Sequence, residues 1–135
     1  MVQHGPSFQS EARTRDIRVS VRSAYVPGRS HPARRAWHFS YTVTISNEGG
    51  DTVQLLSRRW VITDAHGHVE VVAGPGVVGQ QPVLRPGETH TYSSACPLPT
   101  EFGTMEGRFR MVTSSGESYD AVVAPFRLAV PEAVQ

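Results

Sequence analysis

A chain of 135 residues has room for one domain that buries roughly two thirds of its unfolded surface, and no room for two. Thirteen Lys and Arg against twelve Asp and Glu leave a formal charge of +1, which argues against a nucleic-acid partner, since such domains gather excess cations on one face. The single cysteine, Cys96, has no disulfide partner within the chain, so packing alone must hold the fold, as is usual in reducing compartments, and the cytoplasm is the expected location.

Residues 1–16 are polar and aperiodic, contain no apolar leader stretch, and are expected to form a flexible tail before a single domain over residues 17–131. No run approaches the roughly eighteen apolar residues that span a bilayer, so no membrane partner is expected. The first strand places Ile17, Val19 and Val21 on one face and Arg18, Ser20 and Arg22 on the other, and ends near Tyr25, before Pro27-Gly28. Residues 27–35, PGRSHPARR, read as a basic loop with too much Pro and Gly for a helix.

Residues 37–46 carry the strongest local pattern: Trp37, Phe39, Tyr41, Val43 and Ile45 alternate with His38, Ser40, Thr42, Thr44 and Ser46. Period two over ten residues, rich in aromatic and β-branched side chains, predicts a long strand buried on one face. Asn47-Glu48-Gly49-Gly50 supplies a turn. In the return strand, 52–63, Val53 and Leu55 hold one phase while Leu56, Trp60 and Ile62 hold the other, which predicts one extra residue, a β-bulge, at Leu55-Leu56.

Asp64-Ala65-His66-Gly67 predicts a hairpin turn into Val69–Val72. Gly74–Gly79 and Gln80-Gln81-Pro82 follow, then Leu84 and a turn at Arg85–Glu88; Pro82 cannot donate a ladder bond, so this portion reads as an edge or a crossing loop. Strand-like pieces resume at 89–94, 107–113, 118–123 and 126–130, with a hairpin turn at Ser114–Glu117. Seven or eight short strands, turns about every ten residues and no 3.6-residue period predict an all-β sandwich of two antiparallel sheets.

Gly74-Pro75-Gly76-Val77-Val78-Gly79 matches GxGxxG, the pyrophosphate-binding pattern of dinucleotide folds. That chemistry needs a helix N-terminus after the glycines, and Pro82, Pro86 and Gly87 forbid one. A helix-free reading remains, in which successive loop N–H groups hold an anion with help from Arg85 or a basic residue of 29–35. Two others stand beside it: the glycines allow a tight path between sheets with Val77 and Val78 in the core, or the loop presents backbone and valines to a protein. The candidate ligand- or partner-binding residues are therefore Gly74, Gly76, Val77, Val78, Gly79, Gln80 and Arg85.

Arg58 shares a strand face with Trp60, which places a guanidinium beside the core to pair with a carboxylate or cap carbonyls; Arg58 and Arg59 are also a candidate interaction surface. His66-Gly67-His68 reads as solvated turn histidines rather than metal ligands, so no metal and no cofactor are expected. Cys96 with His90 as base lacks a third orienting group, and no catalytic residue is assigned.

Ordered blocks along the chain resemble the ApaG family: Val21–Tyr25, Phe39–Ile45, Val53–Trp60, Gly76–Pro82, Leu84–Glu88, Tyr92–Ser94, Gly103–Gly107 and Phe126–Leu128. The resemblance implies an immunoglobulin-like or fibronectin type III-like sandwich, a genetic link to cobalt resistance and magnesium efflux, and, through eukaryotic relatives, protein recognition. The family's glycine motif maps to Gly74, Gly76 and Gly79, but Pro75 stands where relatives often carry a small or acidic residue and removes one N–H donor.

The function expected is a non-enzymatic binding module for an unidentified protein partner, read through an edge near Val69–Val72 or the Gly74–Gln81 loop. The alternatives are a site for phosphate, pyrophosphate or metal-bound phosphate at Gly74–Gly79, and a hydrolase of unidentified machinery.

Overall fold

Side-chain alternation sets the architecture of the computed structural model, which describes residues 7–131. The strands are β1 (Gln9–Thr14), β2 (Ile17–Tyr25), β3 (Trp37–Asn47), β4 (Val53–Asp64), β5 (Val69–Pro75), β6 (Val83–Leu84), β7 (Thr89–Leu98), β8 (Phe102–Thr113) and β9 (Ser118–Ala129). They form one sheet in the order β1-β2-β3-β7 and a second in the order β5-β4-β8-β9, with β6 paired to the start of β4. All of these pairings are antiparallel. The result is the expected immunoglobulin-like, fibronectin type III-like sandwich. No helix among the described residues is long and apolar enough to cross a membrane.

The core lies between the sheets. Phe39, Tyr41, Val43 and Ile45 of β3 are buried against Trp60 of β4, Phe109 of β8 and Phe126 of β9. Trp60 sits edge-on to Tyr41, Phe109 and Phe126 at ring separations of 5.3, 5.9 and 6.0 Å, the geometry that places ring edges on ring faces. The 27–35 segment is a loop holding two single 3-10 turns, Pro27–Arg29 and Pro32–Arg34.

The phase change at Leu55-Leu56 is the expected bulge, and a second bulge lies between β8 and β9. The β4–β8 register jumps between Leu55 and Ser57, so Leu56 has no partner on β8. The pieces expected at 118–123 and 126–130 are one strand, β9, in which Met105 and Gly107 of β8 face Phe126 and Val123, so that Ala124-Pro125 stand against the single residue Glu106. A proline is accommodated there because the bulge asks for no ladder bond.

The expected flexible segment over 1–16 is corrected in part. Residues 1–6 lie outside the described residues, but Gln9–Thr14 form β1, paired along their whole length with β2. Apolar periodicity gave no warning because β1 is held by polar atoms. Ser10 Oγ donates to Ala124 O at 2.8 Å, Val122 N donates to Thr14 Oγ1 at 2.9 Å, and Arg127 N donates to Ser7 O at 2.7 Å. These bonds tie β1 to β9 and close one side of the sandwich. On the opposite side β5 and β7 are sheet edges with no further strand beside them among the described residues.

Candidate functional site

The Leu56 bulge and the glycine loop are one construction. Leu56 O, turned out of the β8 ladder, accepts Gly76 N and the Gln81 side-chain Nε2, both at 2.9 Å. Gln54 Nε2 returns to Gln81 O at 3.1 Å, and Leu55 N donates to Pro82 O at 3.0 Å, so the loop is sewn along the first half of β4. Gly76 has φ +62, and a Cβ there would come within 2.3 Å of Gln80 O, so the turn out of β5 needs glycine.

Beyond Gly76 the chain reverses. Val77 N donates to Gln80 O at 2.8 Å and Gln80 N to Val77 O at 3.0 Å, while the residues between, Val78 and Gly79, have φ of +47 and +75. Two positive φ values inside a reciprocal pair define a type I′ hairpin turn. Val77 is 1% exposed and lines the core, whereas Val78 is 63% exposed at the tip. The expectation that both valines fill the core therefore holds only for Val77, because the turn points neighbouring side chains in opposite directions. A β-branched residue at positive φ is strained, and strain of this kind concentrates at functional positions.

Arg58 anchors the loop from beneath. Its Nη1 donates to Pro75 O and Gly76 O, each at 2.9 Å, and its guanidinium packs where a Cβ on Gly74 would come within 3.3 Å. The guanidinium thus caps two carbonyls. The Gly76 and Val77 N–H groups are taken by carbonyls and Pro75 has none, so these positions offer no free donor to an anion. Arg85 is not brought to the loop; it follows β6 and ion-pairs with Glu88 at 3.8 Å. Arg59 points to the outer face of its sheet, opposite Ala73 of β5 and Arg108 of β8.

Between the two open edges runs a cleft of about 240 Å³, lined by Tyr41, Arg58, Trp60, Glu70 and Cys96 among others. Trp60 Nε1 and the Tyr92 hydroxyl are buried without hydrogen-bond partners among the described residues. Neither stands out in the sequence, where both read as core aromatics. Burial pushes the Cys96 thiol up to about 12, with the nearby Glu70 charge adding to it, the opposite of what a nucleophile needs. His90 lies six residues away on the same strand, roughly 20 Å at the rise of an extended chain, so no cysteine–histidine pair forms.

His66 and His68 flank Gly67 at a hairpin tip where both backbone N–H groups donate to Asp64 Oδ1, at 2.8 and 3.0 Å. Among the described residues no three His, Cys, Asp or Glu side chains cluster so as to hold a metal ion.

The edge of β5 completes the arrangement. Glu70, Val72 and Gly74 turn toward the inter-sheet side, opposite Ile62, Trp60 and Arg58, while Val69, Val71 and Ala73 turn outward. Val69 and Val71 are 52% and 49% exposed. Among the described residues the backbone groups on the free side of β5 are unpaired, beside two exposed valines and the Val78 tip.

Comparison with known proteins places these features in a family. The family model described as the ApaG domain matches residues 27–113. Protein ApaG of Azotobacter vinelandii is 51% identical over 118 residues, covering 87% of this chain and 94% of that one. Protein ApaG of Anaeromyxobacter sp. strain K is 53% identical over 122 residues, covering 90% and 96%. The crystal structure of a Bordetella pertussis protein named ApaA superposes with a TM-score of 0.85 at 43% identity, covering 96% of this chain and all of that one.

Proposed function

The chain belongs to the ApaG family, and we propose that it acts as a non-enzymatic protein-interaction module that reads its partner through the β5 edge and the adjoining Val78 turn. The observation that carries this reading is the conjunction of an unpaired edge strand bearing exposed Val69 and Val71 with a neighbouring turn that keeps a strained valine exposed. A chain under no demand from a partner gains stability by placing Asn or Gly at such a turn position. The rigid backing supports it too: the Arg58 caps and the Leu56 bulge fix the loop before any partner arrives, which lowers the ordering cost of association.

On this reading the link to cobalt resistance and magnesium efflux that the family resemblance implies would run through a bound protein. The test is quantitative capture from lysate with the wild type, Val71→Lys and Val78→Asn. A partner of the edge is recovered by the wild type and depleted with both variants, because a lysine blunts a sheet edge and asparagine removes the apolar tip. Equal recovery of every protein by all three would remove the β5 edge and its turn from the proposal.

A further inference from the structure

The outer face of the second sheet carries an unbalanced group of cations beside the β5 edge. Arg59 of β4 lies directly across from Arg108 of β8, a like-charge cross-strand pair that is unfavourable by itself. Arg110, two residues on from Arg108, lies across from Ser57 and shares the face. Among the described residues Asp120 is the one carboxylate lining the basin between them, 3.6 Å from Arg108 and 3.7 Å from Arg110. Arg59 makes no ion pair among the described residues, and Glu106, further along this face opposite Val61, makes none with the three arginines.

The basin, about 320 Å³, is also lined by Ser57, Ala73 and Gly74, so it runs from β8 to the β5 edge. Ala73 and Gly74 are small, and they leave the path from the edge to the Arg59 guanidinium open.

Resting on the reading of β5 as a docking edge, we infer that the preferred partner is an extended segment with an acidic side chain opposite Ala73 and apolar side chains opposite Val71 and Val69. Backbone groups of the added strand pair with β5, and every second side chain lies on the outer face beside Val69, Val71 and Ala73. The strand sits roughly 10 Å from β4 by the spacing of two ladder steps. An arginine on β4 and a glutamate on the incoming strand span that distance over an alanine, and a longer residue than Ala73 would block it. A second copy of this chain fits the edge poorly, since its own arginine basin would arrive on the same face.

The experiment uses the full chain and four capped heptapeptides: Thr-Val-Thr-Val-Thr-Glu-Thr, its reverse, and the two Gln-for-Glu controls. Binding is read from backbone amide shifts of Val69–Gly74 and from fluorescence anisotropy. One Glu peptide is expected to bind about two- to five-fold more tightly than its Gln control at low salt, with the gap closing at 0.5 M salt. Arg59→Gln and Arg108→Gln are expected to remove the gap between each Glu peptide and its Gln control.

Equal affinity of Glu and Gln peptides, with the β5 amides shifting for both, overturns the acidic preference and leaves edge docking standing. No β5 shift with any peptide up to millimolar concentration overturns edge docking as well. A dimer by sedimentation, with β5 amides protected in the absence of peptide, assigns the edge to a second copy and also overturns the inference.

Discussion

Val78→Asn is expected to make the protein more stable. Val78 is the first of two central residues of a type I′ turn, with φ +47, followed by Gly79 at +75. A left-handed backbone costs an L residue about 1–2 kcal/mol, which asparagine largely escapes, and Asn-Gly is the preferred pair for this turn. Against that gain stands the apolar burial that the valine methyl groups provide. Burying a whole valine side chain is worth roughly 1.5–2 kcal/mol, and with the residue 63% exposed only about 0.5 kcal/mol of that is at stake.

The net expectation is a gain of about 1 kcal/mol. In equilibrium urea unfolding followed by the fluorescence of Trp37 and Trp60, it should appear as a midpoint raised by about 0.5 M with an unchanged slope. In a thermal scan it amounts to a few degrees, about 3–4 °C. Val78→Gly should gain less, because the freed chain entropy of glycine in the unfolded state offsets part of the relief. A lowered midpoint for Val78→Asn would refute the reasoning, since it would mean that the valine stabilises this turn more than its backbone strain costs.

Three further outcomes follow from the packing. Asn47 is buried at the end of β3, where its Nδ2 donates to Asp51 O and Leu84 O at 2.8 and 2.9 Å and its Oδ1 accepts Gly49 N at 3.0 Å; Asn47→Ala should cost roughly 2–4 kcal/mol in urea unfolding by stranding these groups. Gly107→Ala would place a Cβ 2.2 Å from Arg59 O and 3.0 Å from the Trp60 ring, so loss of at least about 2 kcal/mol with a disturbed Trp60 emission is expected. Cys96 in the folded protein should stay unlabelled by iodoacetamide at pH 8 and react only on unfolding, because burial holds its thiol protonated. Its folded value is raised, so the stability it confers is complete below the ordinary thiol value of 9.0 and is lost as pH climbs toward about 12; labelling of the native protein at pH 8 on the time scale of a free thiol would contradict the buried placement.

The residues that alternate are those whose structure was legible. Trp37 to Ile45 announced β3, and the phase change at Leu55-Leu56 announced the β4 bulge, since one extra residue must move every later side chain to the other face. The same signal was present at Val123 and Phe126, where two short strands were expected and a single bulged β9 stands. Pro82 placed its stretch outside a central strand, as its position beside the edge pairing of β6 with β4 bears out. The family blocks pointed to the sandwich, and the comparisons bear out the family.

The pattern of oily and polar side chains by itself determined that this chain forms strands, roughly where they turn, and that two sheets close over a core, because periodicity of two is a local property. Tertiary structure alone decided the rest. It recruited Gln9–Thr14 into β1 through hydrogen bonds between polar groups distant in sequence, and so closed one side of the sandwich while leaving β5 and β7, among the described residues, as edges on the other. It buried Val77 and exposed Val78, spent the Gly76, Val77 and Gln80 N–H groups on carbonyls, and set Arg59 opposite Arg108. Each of those outcomes depends on which strand lies beside which, and register between segments far apart in sequence is written in no single stretch of it.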